Sequence, residues 1–382
     1  MILLFAGWGA AVALVGGLIG YLWLASDSIE AELKEQRPQI TVEVKPKGLE
    51  MEQVASTTQK ERKILENAPL EKINAVERKQ SGQDLEETAQ LNQGHQGSDA
   101  TTGDAKVGVK LHPHPDPKLI EETDQGPLPK MDEDGRQPWH VYSRPFENKG
   151  ARPRIVIVVT HLGLAPQQTQ DAIAKLPSEV TLGFAPYARN LDIWVQQARD
   201  NGHEVLIGLP MEPNDYPRND PGPNGLMLAH SQEENIKRLN WVLSRATGYV
   251  GIFDIMGSRF TAEKGSLKPI IQQLNNRGLM ILNTRSSPNS MMREAAQEIG
   301  IPYSAVDITP DLEPSRGGID RKLDKLLELA MTQKQAVAIM RPLPITMLRL
   351  KRWIDRLDPG KIILAPLSAV AEPVKALKQP KS

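Results

Sequence analysis

Arg154-Ile155-Val156-Ile157-Val158-Val159-Thr160-His161-Leu162-Gly163 is the stretch that decides the fold. An unbroken β-branched run, entered by a basic residue and closed by Gly, reads as a strand buried on both faces. Such strands open α/β domains, and ligands gather where they end. Thr160 and His161 stand at that end.

Downstream the same pattern recurs. Apolar β-branched runs at 155–160, 180–185, 204–209, 249–254, 279–282, 303–308, 336–340 and 362–365 alternate with amphipathic helical patterns at 190–201, 232–245, 267–277 and 319–332. Asn201-Gly202 and Arg277-Gly278 supply the Gly stop expected where helices end. Strict alternation of this kind argues for a parallel sheet. The expected fold is α/β, a deformed (β/α) barrel of about seven or eight strands, with a doubly wound open sheet as the alternative.

Upstream, residues 2–25 carry no charge and are rich in Leu, Ala, Gly and Val. About 20 such residues span a hydrocarbon core of ~30 Å. With neither a basic n-region nor a short apolar core, the segment reads as an uncleaved anchor over 1–26 rather than a signal peptide. The acidic residues that follow it do not set its direction. Residues 27–138 contain no Phe, Tyr or Trp and no sustained hydrophobic periodicity, and read as a disordered tether. His112 and His114 lie in it without a third ligand. Trp139 and Tyr142 end the aromatic gap, so the folded domain is expected over 139–375, with 376–382 a tail.

Composition narrows the function classes. The 382 residues carry 46 Lys+Arg against 47 Asp+Glu, a formal net charge of -1, which argues against a nucleic-acid partner. Cysteine is absent, excluding disulfides and thiolate chemistry. No Gly-x-Ser-x-Gly turn or Gly-x-Gly-x-x-Gly phosphate cradle is present.

In a (β/α) barrel the carboxyl ends of the strands carry function. That rule selects Thr160, His161, Tyr187, Glu212, Asp215, Asp254, Arg259, Asn283, Arg285, Asp307, with Asp311 just past it, and Arg341. His161, Asp254 and Glu212 are the candidates for chemistry. Tyr187, Glu212, Asp215, Arg259, Arg285, Asp307 and Arg341 are the candidates for binding substrate. A metal, if any, would fall to His161 and Asp254, but no His-x-x-x-His spacing or paired carboxylates support one. His203 precedes its strand and is expected on the opposite rim, bonding a loop carbonyl.

Further motifs are Leu176-Pro-Ser-Glu-Val-Thr-Leu-Gly-Phe-Ala-Pro-Tyr187, Gly202-His-Glu-Val-Leu206 and Pro210-Met-Glu-Pro213. Asp220-Pro-Gly-Pro223, Gly248-Tyr-Val-Gly251 and Met256-Gly-Ser-Arg-Phe-Thr261 complete the set. Together with the first strand, they resemble the divergent polysaccharide deacetylase family, a bacterial envelope group, over roughly residues 139–373. The resemblance implies a deformed (β/α) barrel. It also implies an envelope glycan or envelope protein as partner, and a single-pass inner-membrane protein with its barrel in the periplasm. In active relatives two adjacent aspartates end the first strand, one as general base and one as ligand to a divalent metal such as zinc. Thr160 and His161 take those places here. Asp254-Ile255 replaces an Asn-His pair, and Asn283 replaces an Asp. A neutral Thr cannot act as base and Ile255 cannot ligate, so the expectation is a domain that binds glycan with its metal and base positions lost. An active N- or O-deacetylase with a rearranged site is the alternative.

Overall fold

The structure is a computed structural model and describes residues 109–148 and 150–373. The anchor and tail expected from the sequence, and the tether up to residue 108, lie outside the described residues. Among the described residues no helix is long and apolar enough to cross a membrane.

The quoted stretch forms β3 (Arg154–Leu162). It is followed by β4 (Thr181–Phe184), β5 (Val205–Met211), β6 (Gly251–Met256), β7 (Met280–Asn283), β8 (Pro302–Ala305) and β9 (Gln335–Met340). Each pairs in parallel with the next from β3 to β8, and β9 runs beside β3 in continuous register from Arg154↔Gln335 to Val159↔Met340. A single bridge, Ile308↔Ala338, joins the β8 side to β9 and nearly closes the ring. The result is a seven-stranded barrel, not an open doubly wound sheet. The expected eighth strand shrinks to β10 (Ile363–Leu364), which pairs only with the first two residues of β3. The following chain crosses the N-terminal end of the barrel and ends in β11 (Glu372–Pro373), antiparallel to β8.

The two-sided burial expected for β3 follows from this arrangement. Ile155, Ile157 and Val159 face the helices, while Val156 and Val158 face the barrel interior with Leu206, Phe253, Leu282 and Ile339. Phe253 fills the middle of that interior because Gly183 and Gly208 face it. A Cβ on Gly183 would lie 2.8 Å from the Phe253 ring, and one on Gly208 would lie 3.0 Å from it. The outer helices begin where local chemistry allows. Pro166 and Pro344 occupy first-turn positions of α2 (Pro166–Lys175) and α8 (Pro344–Ile354). Ser231 caps α4 (Gln232–Leu243) by accepting the Glu234 amide. The remaining helices are α1 (Pro138–Val141), α3 (Leu191–Asp200), α5 (Lys264–Asn276), α6 (Met292–Ile299) and α7 (Arg316–Gln333).

The domain begins earlier than the aromatic content suggests. Within 109–138, expected to be disordered, lie a 3-10 turn at Pro117–Leu119 and a hairpin of β1 (Ile120–Thr123) and β2 (Gly126–Pro129). Leu119 and Leu128 are buried at 1% and 2% exposure. Leu119 and Tyr142 join the interior cluster, so this arm seals the N-terminal end of the barrel. Arg199 locks it there, donating to the carbonyls of Tyr142, Gly248 and His112 at 2.9, 2.7 and 2.6 Å. Burial lowers the Arg199 pKa to about 10. His112 and His114 diverge, the first toward Asp116 at 3.2 Å and the second toward Thr247 at 3.1 Å.

Candidate functional site

The strand-end rule places His161, Asp254, Arg285, Asp307 and Arg341 around one rim of the barrel, with Glu212 and Arg259 in the loops just beyond β5 and β6. The interior beneath that rim is apolar. Thr160 is buried, with its methyl group 2.9 Å from where a Gly183 Cβ would lie. Ile255 lies over Gly208, where an added Cβ would come within 2.3 Å of its Cδ1.

Each carboxylate on the rim is held by a specific partner across the sheet. Asp254 accepts the Thr284 amide at 2.7 Å, the Thr284 hydroxyl at 2.6 Å and the Ser286 hydroxyl at 3.1 Å. It thereby pins the β7 loop to the end of β6, and burial raises its pKa above the ordinary carboxylate range. Glu212 accepts the Leu228 amide at 2.6 Å and the Arg259 guanidinium at 2.8 Å. Asp307 accepts the Val337 amide at 2.9 Å beside the bridge that closes the barrel, with Arg285 at 3.7 Å. Asp311 is also reached by the strand-end rule, though the sequence assigned it no role. It is fully buried and accepts the Arg341 amide at 2.8 Å and the Thr346 hydroxyl at 3.2 Å. Its one legible signal was an Asp just past the sixth strand.

β3 ends in a register shift between Val159 and Leu162, and His161 adopts φ 62 there. Its Nδ1 lies 3.0 Å from Thr160 Oγ1, and its ring sits 6.4 Å from that of Phe253. Desolvation lowers the imidazole pKa, and the Arg341 guanidinium adds to that effect. Met256 and Arg285 also hold left-handed φ values, 63 and 56, at the ends of β6 and β7. Backbone strain in non-glycine residues is therefore repeated along one rim.

The structure brings together Glu212 with Arg259 and Arg285 with Asp307, while His161 and Arg341 stand at the ends of the paired strands β3 and β9. It does not bring Tyr187 or Asp215 to the rim's ion pairs. The Tyr187 hydroxyl bridges the Pro221 carbonyl and the Asn224 amide, both at 3.1 Å, and its ring packs 5.6 Å from Trp241. Tyr187 thus braces the 210–224 loop, while Asp215 bonds Asn219 within it. On the opposite rim His203 is buried, its ring nitrogens 2.8 and 3.0 Å from the Val180 and Ile173 carbonyl oxygens, as its position before a strand suggested.

These residues do not fit a hydrolytic metal. Among the described residues no three His, Asp or Glu side chains gather around a common point. Asp254 is occupied by hydroxyl and amide donors, and Ile255 beside it offers no lone pair. An Asp254→Ala variant should unpin the β7 loop and leave the Thr284 amide without its partner. Loss of a buried acceptor of this kind costs about 2–4 kcal/mol. Urea unfolding should show it as a lower midpoint at unchanged slope.

The profile of the divergent polysaccharide deacetylase family matches residues 157–371. The chain belongs to that family. The match begins within β3 and ends just before β11, so it takes in most of β3 and the whole of β4 to β9. YibQ of Escherichia coli K12, described as an uncharacterized protein, is 24% identical over 220 residues, 58% of this chain and 68% of YibQ. An uncharacterized protein of Haemophilus influenzae is 26% identical over 210 residues, 54% of this chain and 73% of its own length. The crystal structure of uncharacterized protein ATU2773 from Agrobacterium tumefaciens C58 is 35% identical. It superposes with a TM-score of 0.63 over 64% of this chain and 100% of its own. The family resemblance read from the motifs and the barrel read from strand alternation therefore agree.

Proposed function

We propose that this deacetylase-like domain binds an envelope saccharide across the C-terminal mouth of its barrel without hydrolysing it. We further propose that residues 1–26 anchor it in the inner membrane with the barrel in the periplasm. One observation carries the non-hydrolytic reading: the rim carboxylates are engaged in hydrogen bonds that hold strand ends and loops together. The base position is Thr160, buried and neutral, and a hydroxyl at neutral pH cannot deprotonate water. The saccharide reading rests on family membership, together with a rim of arginines and an exposed Tyr216 on the adjoining loop.

Full-length protein, purified in detergent, should release no acetate above the protein-free control from N-acetylated chito- or muropeptide oligosaccharides, with or without added Zn²⁺. The same oligosaccharides should bind in calorimetric titration. Catalytic acetate release that disappears in His161→Ala would overturn this reading in favour of a rearranged active site.

A further inference from the structure

Three guanidinium groups share the mouth: Arg259 after β6, Arg285 at the end of β7 and Arg341 at the end of β9. Their side chains are 54%, 49% and 44% exposed. Each is held from behind by a carboxylate that also accepts a backbone amide: Glu212 from Leu228, Asp307 from Val337, and Asp311 from Arg341 itself. The Glu212, Asp307 and Asp311 side chains are 4%, 23% and 0% exposed, each less than the arginine it pairs with, so the rim presents more guanidinium than carboxylate to an arriving ligand. An arginine carries five N–H donors in a planar fork, and one carboxylate partner leaves several of them facing solvent. Anchoring also removes part of the side-chain entropy that binding would otherwise cost.

One loop organises two of these groups. Asp307 and Asp311 lie four residues apart after β8, with Arg285 paired to the first and Arg341 to the second. Arg285 is held in its left-handed conformation by its own amide donating to Asn283 Oδ1 at 2.8 Å. That conformation is costly for a residue with a Cβ, so the chain maintains strain at a position whose side chain is half in solvent. Beneath the rim, Phe253 and Ile255 close the barrel, which leaves the ligand to lie across the mouth. A neutral sugar offers these forks only hydroxyls, whereas a planar or tetrahedral oxyanion matches them two bonds at a time.

Building on the saccharide-binding reading, we infer that the mouth selects an acidic saccharide, whose carboxylate or phosphate is held by Arg285 and Arg341.

The test is calorimetric titration of the full-length protein with three oligosaccharides of equal length. One is neutral N-acetylglucosamine tetrasaccharide, one carries lactyl carboxylates on alternate sugars, and one carries a sugar phosphate. Titrations are run at low and high salt. The inference expects an acidic ligand to bind about tenfold more tightly than the neutral one, with the advantage shrinking at high salt. Arg285→Gln and Arg341→Gln should each weaken the acidic ligand more than the neutral one and so remove that advantage. Tighter binding by the carboxylated or the phosphorylated ligand supports the inference and identifies the acid. Equal, salt-independent affinities for all three overturn it and leave the saccharide reading standing. No binding by any of them overturns both. The salt dependence of the unsubstituted protein decides the matter even if a variant fails to fold.

Discussion

Gly251→Ala should leave little folded protein. A Cβ at this position would lie 2.1 Å from the Met280 carbonyl oxygen and 2.7 Å from its carbonyl carbon. Both atoms are backbone of the neighbouring strand, paired directly with Gly251 in the β6–β7 register. A side chain in the way could rotate aside, but this carbonyl is tied into a ladder whose Met280 amide donates to Val250 at 3.1 Å. Relief requires prying β6 from β7 where the two strands begin to pair. Overpacking of flexible surroundings costs about 1–3 kcal/mol, and a fixed backbone takes the cost beyond that range. Soluble yield and the urea midpoint measure the effect. A variant as stable as the parent would show that the strands separate more easily than their register implies.

Glu204→Ala should produce the second large loss. Glu204 is fully buried at the N-terminal end of the barrel. One of its oxygens receives the Ser368 amide at 3.0 Å and the Thr181 hydroxyl at 3.4 Å. The other receives the Arg144 amide at 3.3 Å and the Ser368 hydroxyl. One carboxyl group therefore ties the arm before β3 and the segment after β10 to the barrel. Removing it strands several buried donors together, a loss of about 3–5 kcal/mol and a fall in Tm of roughly 10 °C for a domain of this size.

The same residue gives the stability a pH signature. Burial raises the Glu204 pKa above its ordinary value, as it does for Asp254. The folded state then holds protons that the unfolded state releases, so this contribution is complete below the ordinary carboxylate pKa. It is lost as pH rises through the raised values. Tm should increase on going from neutral to mildly acidic pH, and Glu204→Gln should flatten that increase. A Tm that falls steadily from pH 7 to pH 5 would contradict it.

Different parts of this protein were legible in the sequence to different degrees. The barrel was, because strands covered on both faces must be apolar on both faces, and β3 displays that directly. The length of the ordered region was not. Residues 109–138 dock through isolated anchors such as Leu119 and Leu128 rather than through a periodic face, and an isolated Leu leaves no pattern to detect. The eighth strand misled for a related reason: Ile362 is buried in the helix-side core and Ala365 with the crossing segment at the barrel's N-terminal end, neither in a full ladder.

At the mouth, the rule that function lies at the carboxyl ends of parallel strands located the rim residues from their order alone. Which residue partners which could not be read, because the contacts Asp254–Thr284, Asp307–Val337 and Asp311–Arg341 each span 30 residues. They exist only once the strands and helices between the partners have packed, and the last two only once β9 meets the β8 loop.

The sequence by itself determined the α/β alternation and the family, since these depend only on residue type and order. Tertiary structure alone decided that the rim carboxylates face inward onto amides and hydroxyls while Arg259, Arg285 and Arg341 face outward. The physical reason is packing of neighbouring strand ends. Asp254 meets donors just past β7, and Asp307 and Asp311 meet amides of β9 and its end only when β9 comes against the β8 loop, which leaves Arg259, Arg285 and Arg341 exposed beside them.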